Sequence, residues 1–276
     1  MIRCEKGKLK MSVKKILYIT VLLLGIVFPI SVFSQENYGG TLIYGEYGAP
    51  TRFVPILAND AISIRFLELI YSSLVYYDFD GKIRGDLAER WEVSKNFREI
   101  TFYLRKNVYW HPVPGQTERV KFTADDVVKT FKIMMNPRTL TSIQLRYSFI
   151  DRAVKVNDYT VKFILNKPVI NVLGRFTFKI LPSFMLKNIN YLRGDEDLLI
   201  YKHPIGTGPY MFVGREGPGS EIVLVADNNY HLGRPHISKI IMRPFADQNI
   251  MTQTLLFGGI DLEAVSYTHL TLPTKA

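Results

Sequence analysis

Cysteine is almost absent from this chain: Cys4 is the only one in 276 residues. A single thiol excludes an intramolecular disulfide and a multi-thiolate metal site, so the folded part must rely on its apolar core. Histidine is sparse. His231 and His236 form the closest pair, while His111, His203 and His269 have no neighbour at ligand spacing, so no metal site and no cofactor is read from the sequence. Neither a G-x-S-x-G elbow nor an H-E-x-x-H pair occurs, and no catalytic residue is assigned. Long basic runs are missing too, which argues against a nucleic-acid partner.

What is present suits an ordinary globular core, with 47% hydrophobic and 22% charged residues. The formal charge of +10 is concentrated at one end: residues 35–276 hold 29 Lys/Arg against 24 Asp/Glu, a balance of +5. The N-terminus explains the rest. Lys10, Lys14 and Lys15 precede an apolar run from Ile16 to Phe33, and Val32 and Ser34 offer small residues before the polar Gln35-Glu36-Asn37. Basic, apolar, small, then polar is the order of a secretory signal peptide, here residues 1–34 with Met11 a better start than Met1. An uncleaved membrane anchor is the alternative, and Pro29 and Ser31 favour cleavage. Cys4 stands before the apolar run, where a lipid-bearing cysteine would not. At the other end, residues 265–276 resemble a translated sequencing-adaptor tail. A genuine strand is the alternative there, since Tyr267, Leu270 and Leu272 are separated by polar residues.

Between these ends, periodicity and breakers give a coarse structure. Gly40–Gly45 reads as a strand, and Asn59 as the cap of a helix with Ile62, Phe66, Leu69, Ile70 and Ser73 on its apolar face. Leu74–Tyr77 and Lys82–Arg84 flank a hairpin loop at Asp78–Gly81. Trp91–Val93 and Thr101–Leu104 read as strands, as do Val154–Val156 and Thr160–Leu165 around a turn at Asn157-Asp158. Thr123 caps the clearest helix, with Asp125 and Asp126 in its first turn, Val127, Val128, Phe131 and Met134 or Met135 as its buried stripe, and Asn136-Pro137 as its stop. Capping accounts for the adjacent aspartates better than an acid/base pair does. Trp91 and Trp110 sit among apolar residues and read as core.

Gly206-Thr207-Gly208-Pro209-Tyr210 is not a phosphate loop: no Lys-Ser/Thr follows, and Pro209 removes a backbone N–H. It reads instead as a backbone-dictated turn entering a strand at Tyr210–Val213.

Two separated stretches carry a resemblance. Residues 74–131, from LVYYDFDGKIRGDLAERWEVS through FYLRKNVYWHP to KFTADDVVKTF, and 203–210, HPIGTGPY, resemble in their order the bacterial extracellular solute-binding proteins of family 5, the peptide- and nickel-binding branch. The likeness runs from Tyr38 to Leu262 and includes NNYHLGRPHISKIIMRP (228–244) and FGGIDL (257–262). It implies a mixed α/β fold with the two-lobed type II periplasmic-binding-protein architecture. Residues 35–70 and 171–262 would form the first lobe and 71–170 an inserted domain, the second lobe being absent.

The resemblance further implies the substrate-binding component of an ABC importer, exported to the periplasm and monomeric. Its partners would be a peptide or other small solute and a cognate permease in the inner membrane. A secreted hydrolase of peptides or glycosides and a membrane-tethered solute sensor are the rival readings. Cleft contacts are implied for the loop Glu46, Tyr47, Gly48, Ala49, Pro50 and Thr51, where Gly48 allows close backbone approach, Tyr47 can stack and Glu46 can meet an amine. An ordinary surface turn is the other reading of that loop. The Gly206–Tyr210 motif is implied to be structural and close to the cleft. Trp110-His111-Pro112-Val113-Pro114-Gly115 departs from the family's aromatic-x-Asp-Gly turn at that point. Mass analysis of the exported chain is expected to find a mature N-terminus at Gln35; retention of residues 16–33 would convert the leader to an anchor.

Overall fold

The computed structural model describes residues 38–194, 197–217 and 219–264. The expected leader (1–34) and the expected tail (265–276) lie outside these. Among the described residues no helix is long and apolar enough to cross a membrane.

The first sheet is mixed. β1 (Gly39–Tyr47) lies between two strands parallel to it, β10 (Ile237–Phe245) and β11 (Leu262–Ala264). Antiparallel β9 (Glu221–Ala226) and β8 (Tyr210–Glu216) complete the order β11-β1-β10-β9-β8. Leu42, Ile240, Leu224 and Phe212 are register partners across four strands, so their side chains line one face. On that face helix α1 (Ala61–Ile70) packs, with Phe66 6.1 Å from Phe212 in an edge contact. The cap of α1 is Asp60, whose carboxylate accepts from the Ser63 N–H at 2.7 Å, and not Asn59 as periodicity suggested. Phe66, Leu67 and Ile70 are its buried apolar residues, and Ser73 lies beyond its end.

The second sheet comes from residues 88–165 and is antiparallel throughout, in the order β4-β5-β7-β6. β4 (Ala88–Val93), β5 (Glu99–Leu104), β6 (Ile150–Asn157) and β7 (Thr160–Leu165) contain all four segments that the sequence marked as strands there. Ile100, Phe102 and Leu104 on β5 and Val161, Phe163 and Leu165 on β7 are buried at alternate positions, the period of a half-covered sheet. Helix α2 (Ala124–Met134) covers that face. Its start is a capping box: Asp126 accepts from the Thr123 N–H at 2.8 Å while Thr123 caps in return. Asp126 is buried and also accepts from the Ser183 N–H and the Trp110 indole, whereas Asp125 faces solvent and pairs with Lys155. The two aspartates therefore serve different partners. The hairpin β2 (Val75–Tyr77) and β3 (Ile83–Gly85) precedes this sheet, turning where Asp78 accepts from the Asp80 and Lys82 N–H groups.

Phe163 is the hub of the aromatic packing, with ring contacts to Phe102, Phe131, Phe176 and Phe178 at 4.7–6.5 Å. Trp110 is fully buried and Trp91 is half-buried at the edge of the core. Phe163→Ala is expected to cost about 3–5 kcal/mol of unfolding free energy in urea. A loss below about 1 kcal/mol would show that the cluster is not the core of this sheet.

Candidate ligand-binding site

Adjacent parallel strands whose connections leave to opposite faces open a crevice at their carboxyl ends. β1 and β10 satisfy that condition. Tyr44 and Glu46 share the face of Leu42, and the chain leaving β1 folds into α1 on that side. Gly45 looks the other way, where a Cβ would stand 2.7 Å from Ile260 and 2.9 Å from Met251. Met251 belongs to α5 (Gln248–Leu256), the helix that follows β10 and crosses over to β11. The carboxyl ends at Tyr47 and Phe245 are register partners, so the two departing loops flank one opening.

The first loop is rigidly held. Gly48 has φ +106°, a conformation that disfavours any side chain, and its N–H donates to the Phe245 carbonyl at 2.9 Å, tying the two strand ends together. The Thr51 hydroxyl donates to Asp60 at 2.8 Å, and the Thr51 and Arg52 N–H groups both donate to the Ser63 hydroxyl. Burial raises the pKa of Asp60, but hydrogen bonds from Ser63 and Thr51 outweigh it and hold this carboxyl below its ordinary value. Ala49 is half-buried and Tyr47 is 53% exposed at the rim. Across the opening, residues 246–250 are exposed, and Asp247 caps α5 by accepting from the Ile250 N–H.

Glu46 is differently placed from its neighbours. It is fully buried, and Arg65 donates to both carboxylate oxygens, Nε at 2.7 Å and Nη2 at 2.6 Å. The guanidinium is thereby fixed, with the Arg65 side chain 41% exposed against 1% for Glu46. Burial, then the Glu46 charge, push the nearby Tyr44 hydroxyl far above its ordinary pKa. A ligand amine would have to displace Arg65 to reach Glu46, so the polar groups offered at this rim are Tyr47, the Arg65 edge and the loop backbone. Sequence reading passed over Arg65, although a cation on α1 facing a strand-end glutamate was its available signal.

The Gly206–Tyr210 motif forms a tight turn at the edge of the sheet opposite the carboxyl ends of β1 and β10. β8 runs parallel to β1, so its first residue, Tyr210, lies at the amino-terminal edge of the sheet, where its hydroxyl donates to the Ile237 carbonyl at the start of β10. The reason is a backbone contact. Gly208 N–H donates to the Ile70 carbonyl at 2.8 Å, and a Cβ on Gly206 would lie 1.8 Å from that same oxygen. Thr207 is buried beneath this contact. His111, dismissed on spacing, completes it: Nδ1 accepts from the Gly206 N–H and Nε2–H donates to the Gly208 carbonyl at 2.9 Å. Those partners select the neutral imidazole. His231 pairs with Asp86 at 2.8 Å and His236 stacks on Tyr38, so the closest histidine pair in sequence serves two separate contacts. Among the described residues no group of three or more metal-ligating side chains is assembled.

Burial pushes His111 from 6.5 down to about 4, against the smaller raising effects of the Gly208 carbonyl and Asp227. The unfolded chain takes up this proton below about pH 6.5 and the folded chain does not until about pH 4. Stability present above pH 6.5 is therefore lost as pH falls through that window, on the order of 3 kcal/mol in all and about 2 kcal/mol of it by pH 5. Urea unfolding at pH 7.5 and pH 5 is expected to show this drop, and His111→Gln to flatten it. A same-sign contribution from His203, also depressed by burial, persists in the variant. Equal pH dependence in both proteins would refute the assignment.

Residues 82–274 match the family described as bacterial extracellular solute-binding proteins, family 5 Middle. The chain is 27% identical to the oligopeptide-binding protein AppA of Bacillus subtilis (strain 168) over 236 residues, which cover 85% of this chain and 42% of AppA. Among solved structures it aligns with DppA of Helicobacter pylori, an ABC transporter-associated periplasmic binding protein in complex with the peptide STSA. The TM-score is 0.73 at 25% identity, covering 83% of this chain and 47% of that one. NikZ of Campylobacter jejuni, in complex with Ni(L-His), aligns with TM-score 0.68 at 29% identity over 80% of this chain and 42% of that one. The chain thus spans less than half the length of these relatives.

Proposed function

Because the chain belongs to the bacterial extracellular solute-binding proteins of family 5, with the mixed α/β architecture of type II periplasmic binding proteins, we propose that it captures oligopeptides or similar small solutes for an ABC importer. The observation that carries this reading is the paired carboxyl ends of parallel β1 and β10, where a crevice is expected, flanked by Tyr47, Gly48 and the exposed residues 246–250. An extended peptide needs main-chain partners along its length and loosely fitting space for its side chains. The loop backbone from Tyr47 to Arg52 and the short edge strand β11 supply the first of these; Tyr47 supplies a stacking surface.

The crevice is one wall of a cleft that closes by hinge motion, the other wall coming from the part of the relatives that this chain does not cover. Exposed Ile250, Leu256, Phe257 and Leu262, in and just after α5 and at the start of β11, support that reading, since large exposed apolar side chains concentrated in one segment suit an interface. We assign residues 35–70 and 171–262 to the first lobe and 71–170 to the inserted domain; the split between the two sheets supports this division. The protein is exported, acts as a monomer and delivers its solute to an inner-membrane permease.

An amide NMR titration with a tetrapeptide tests the proposal. Weak, saturable shifts are expected at residues 47–52 and 246–250, and Tyr47→Ala is expected to weaken them roughly tenfold. Shifts confined to other surfaces would overturn the site. Tight, cleft-closing binding by this chain alone would overturn the one-wall reading.

A further inference from the structure

Helix α1 presents Arg65 to Glu46 on one side, and on another it borders a cavity that shares no residue with the carboxyl-end crevice. This cavity measures about 220 Å³. Its floor is apolar, made by the buried Ile56, Leu67 and Phe178, with Tyr147 edge-on to Phe178 at 5.3 Å. Ile64, 47% exposed on α1, and Ile143, just before the short helix α3 (Gln144–Tyr147), form the lips.

Charge is arranged unevenly around this mouth. Lys179 is 12% exposed and already neutralised by Glu68 at 2.5 Å, so that pair contributes little net field. Arg146 lines the same cavity, its guanidinium 5.9 Å from the Tyr147 ring, and makes no ion pair among the described residues. An apolar floor beside one arginine without an ion pair is complementary to an amphipathic anion. Size narrows the class further. The cavity exceeds the ~150 Å³ that holds a benzene ring and falls short of the ~300 Å³ at which drug-sized ligands begin.

We propose that the cleft between α1 and the Ile143–Tyr147 turn is a second ligand site, taking a small aliphatic carboxylate whose chain fills the cavity and whose head meets Arg146. Occupancy would bridge α1, which follows the first strand of the five-stranded sheet, to the segment that precedes β6, so ligand would fasten two parts of the chain distant in sequence. The crevice at the strand ends has no part in this site, and the two proposals stand or fall separately.

Sodium hexanoate and hexan-1-ol, titrated at constant ionic strength against the intact chain and read by methyl NMR, form the test. Both probes are expected to shift the methyl signals of Ile56, Ile64, Leu67 and Ile143, with a dissociation constant on the order of 1 mM for hexanoate. The alcohol should bind about two- to fivefold more weakly, and Arg146→Gln should erase that difference without altering the thermal midpoint. Ile64→Trp, filling the lip, should abolish both titrations. The proposal fails if those methyl groups do not respond at concentrations well above that constant. It fails equally if Arg146→Gln leaves hexanoate affinity unchanged, or if binding survives Ile64→Trp with shifts near Tyr47, which would move the probe to the crevice.

Discussion

Two glycines packed against one carbonyl set the geometry on which the rest depends. Gly206 and Gly208 bring their backbone onto Ile70, the last residue of α1, so closely that a Cβ on either would lie within 3 Å of that residue's carbonyl group. The imidazole of His111 clamps the same turn through both ring nitrogens. Three segments distant in sequence meet there: the end of α1, the loop carrying Trp110 and His111, and the entry to β8. Fixing the end of α1 also fixes its register on the sheet, and hence the place of Arg65 opposite Glu46. The site at one edge of the sheet is thus anchored at the other.

Buried charge does similar work elsewhere. Arg119 reaches Asp227 through both terminal nitrogens at 2.5 and 3.0 Å, and its Nε donates to the Trp110 carbonyl. His231 meets Asp86, whose other oxygen accepts from the Ser73 N–H. Removing one member of such a pair strands the other in a low-dielectric interior, which makes these contacts exacting about geometry even where their net stabilisation is small. Each joins a residue of the β3–α2 region to the loop between β9 and β10, so they hold the two sheets in a defined relation. Glu46–Arg65 follows the same rule at the crevice, where a strand-end acid is held in a fixed, charge-neutral ion pair.

Much of the architecture was legible in the chain. Alternation at Ile100, Phe102 and Leu104 and the Thr123–Asp126 spacing depend on neighbours a few residues away, which periodicity captures. The misplacements have a common cause. Asn59 and Asp60 are both good caps, and only the position of Ser63 and Thr51 decides between them. Glu46 looked free because nothing local pairs it; its partner is 19 residues on, across a helix. The Gly206–Tyr210 turn was recognisable as backbone-dictated from Pro209 and the glycines, but its place at the amino-terminal edge follows from strand direction, which no local motif records.

Sequence alone determined the class of fold, the four strands of the second sheet and the helices that follow Asp60 and Thr123, the lack of a metal or thiol motif, and the family to which the ordered motifs point. Those properties are written in short-range patterns of hydrophobicity, capping and turn chemistry. Tertiary structure decided which loop faces an opening, which carboxylates are already spoken for, and that a second cavity lies beside α1. These are matters of which residues, remote along the chain, share a few ångströms of space, and that is fixed only when β1 is inserted between β10 and β11.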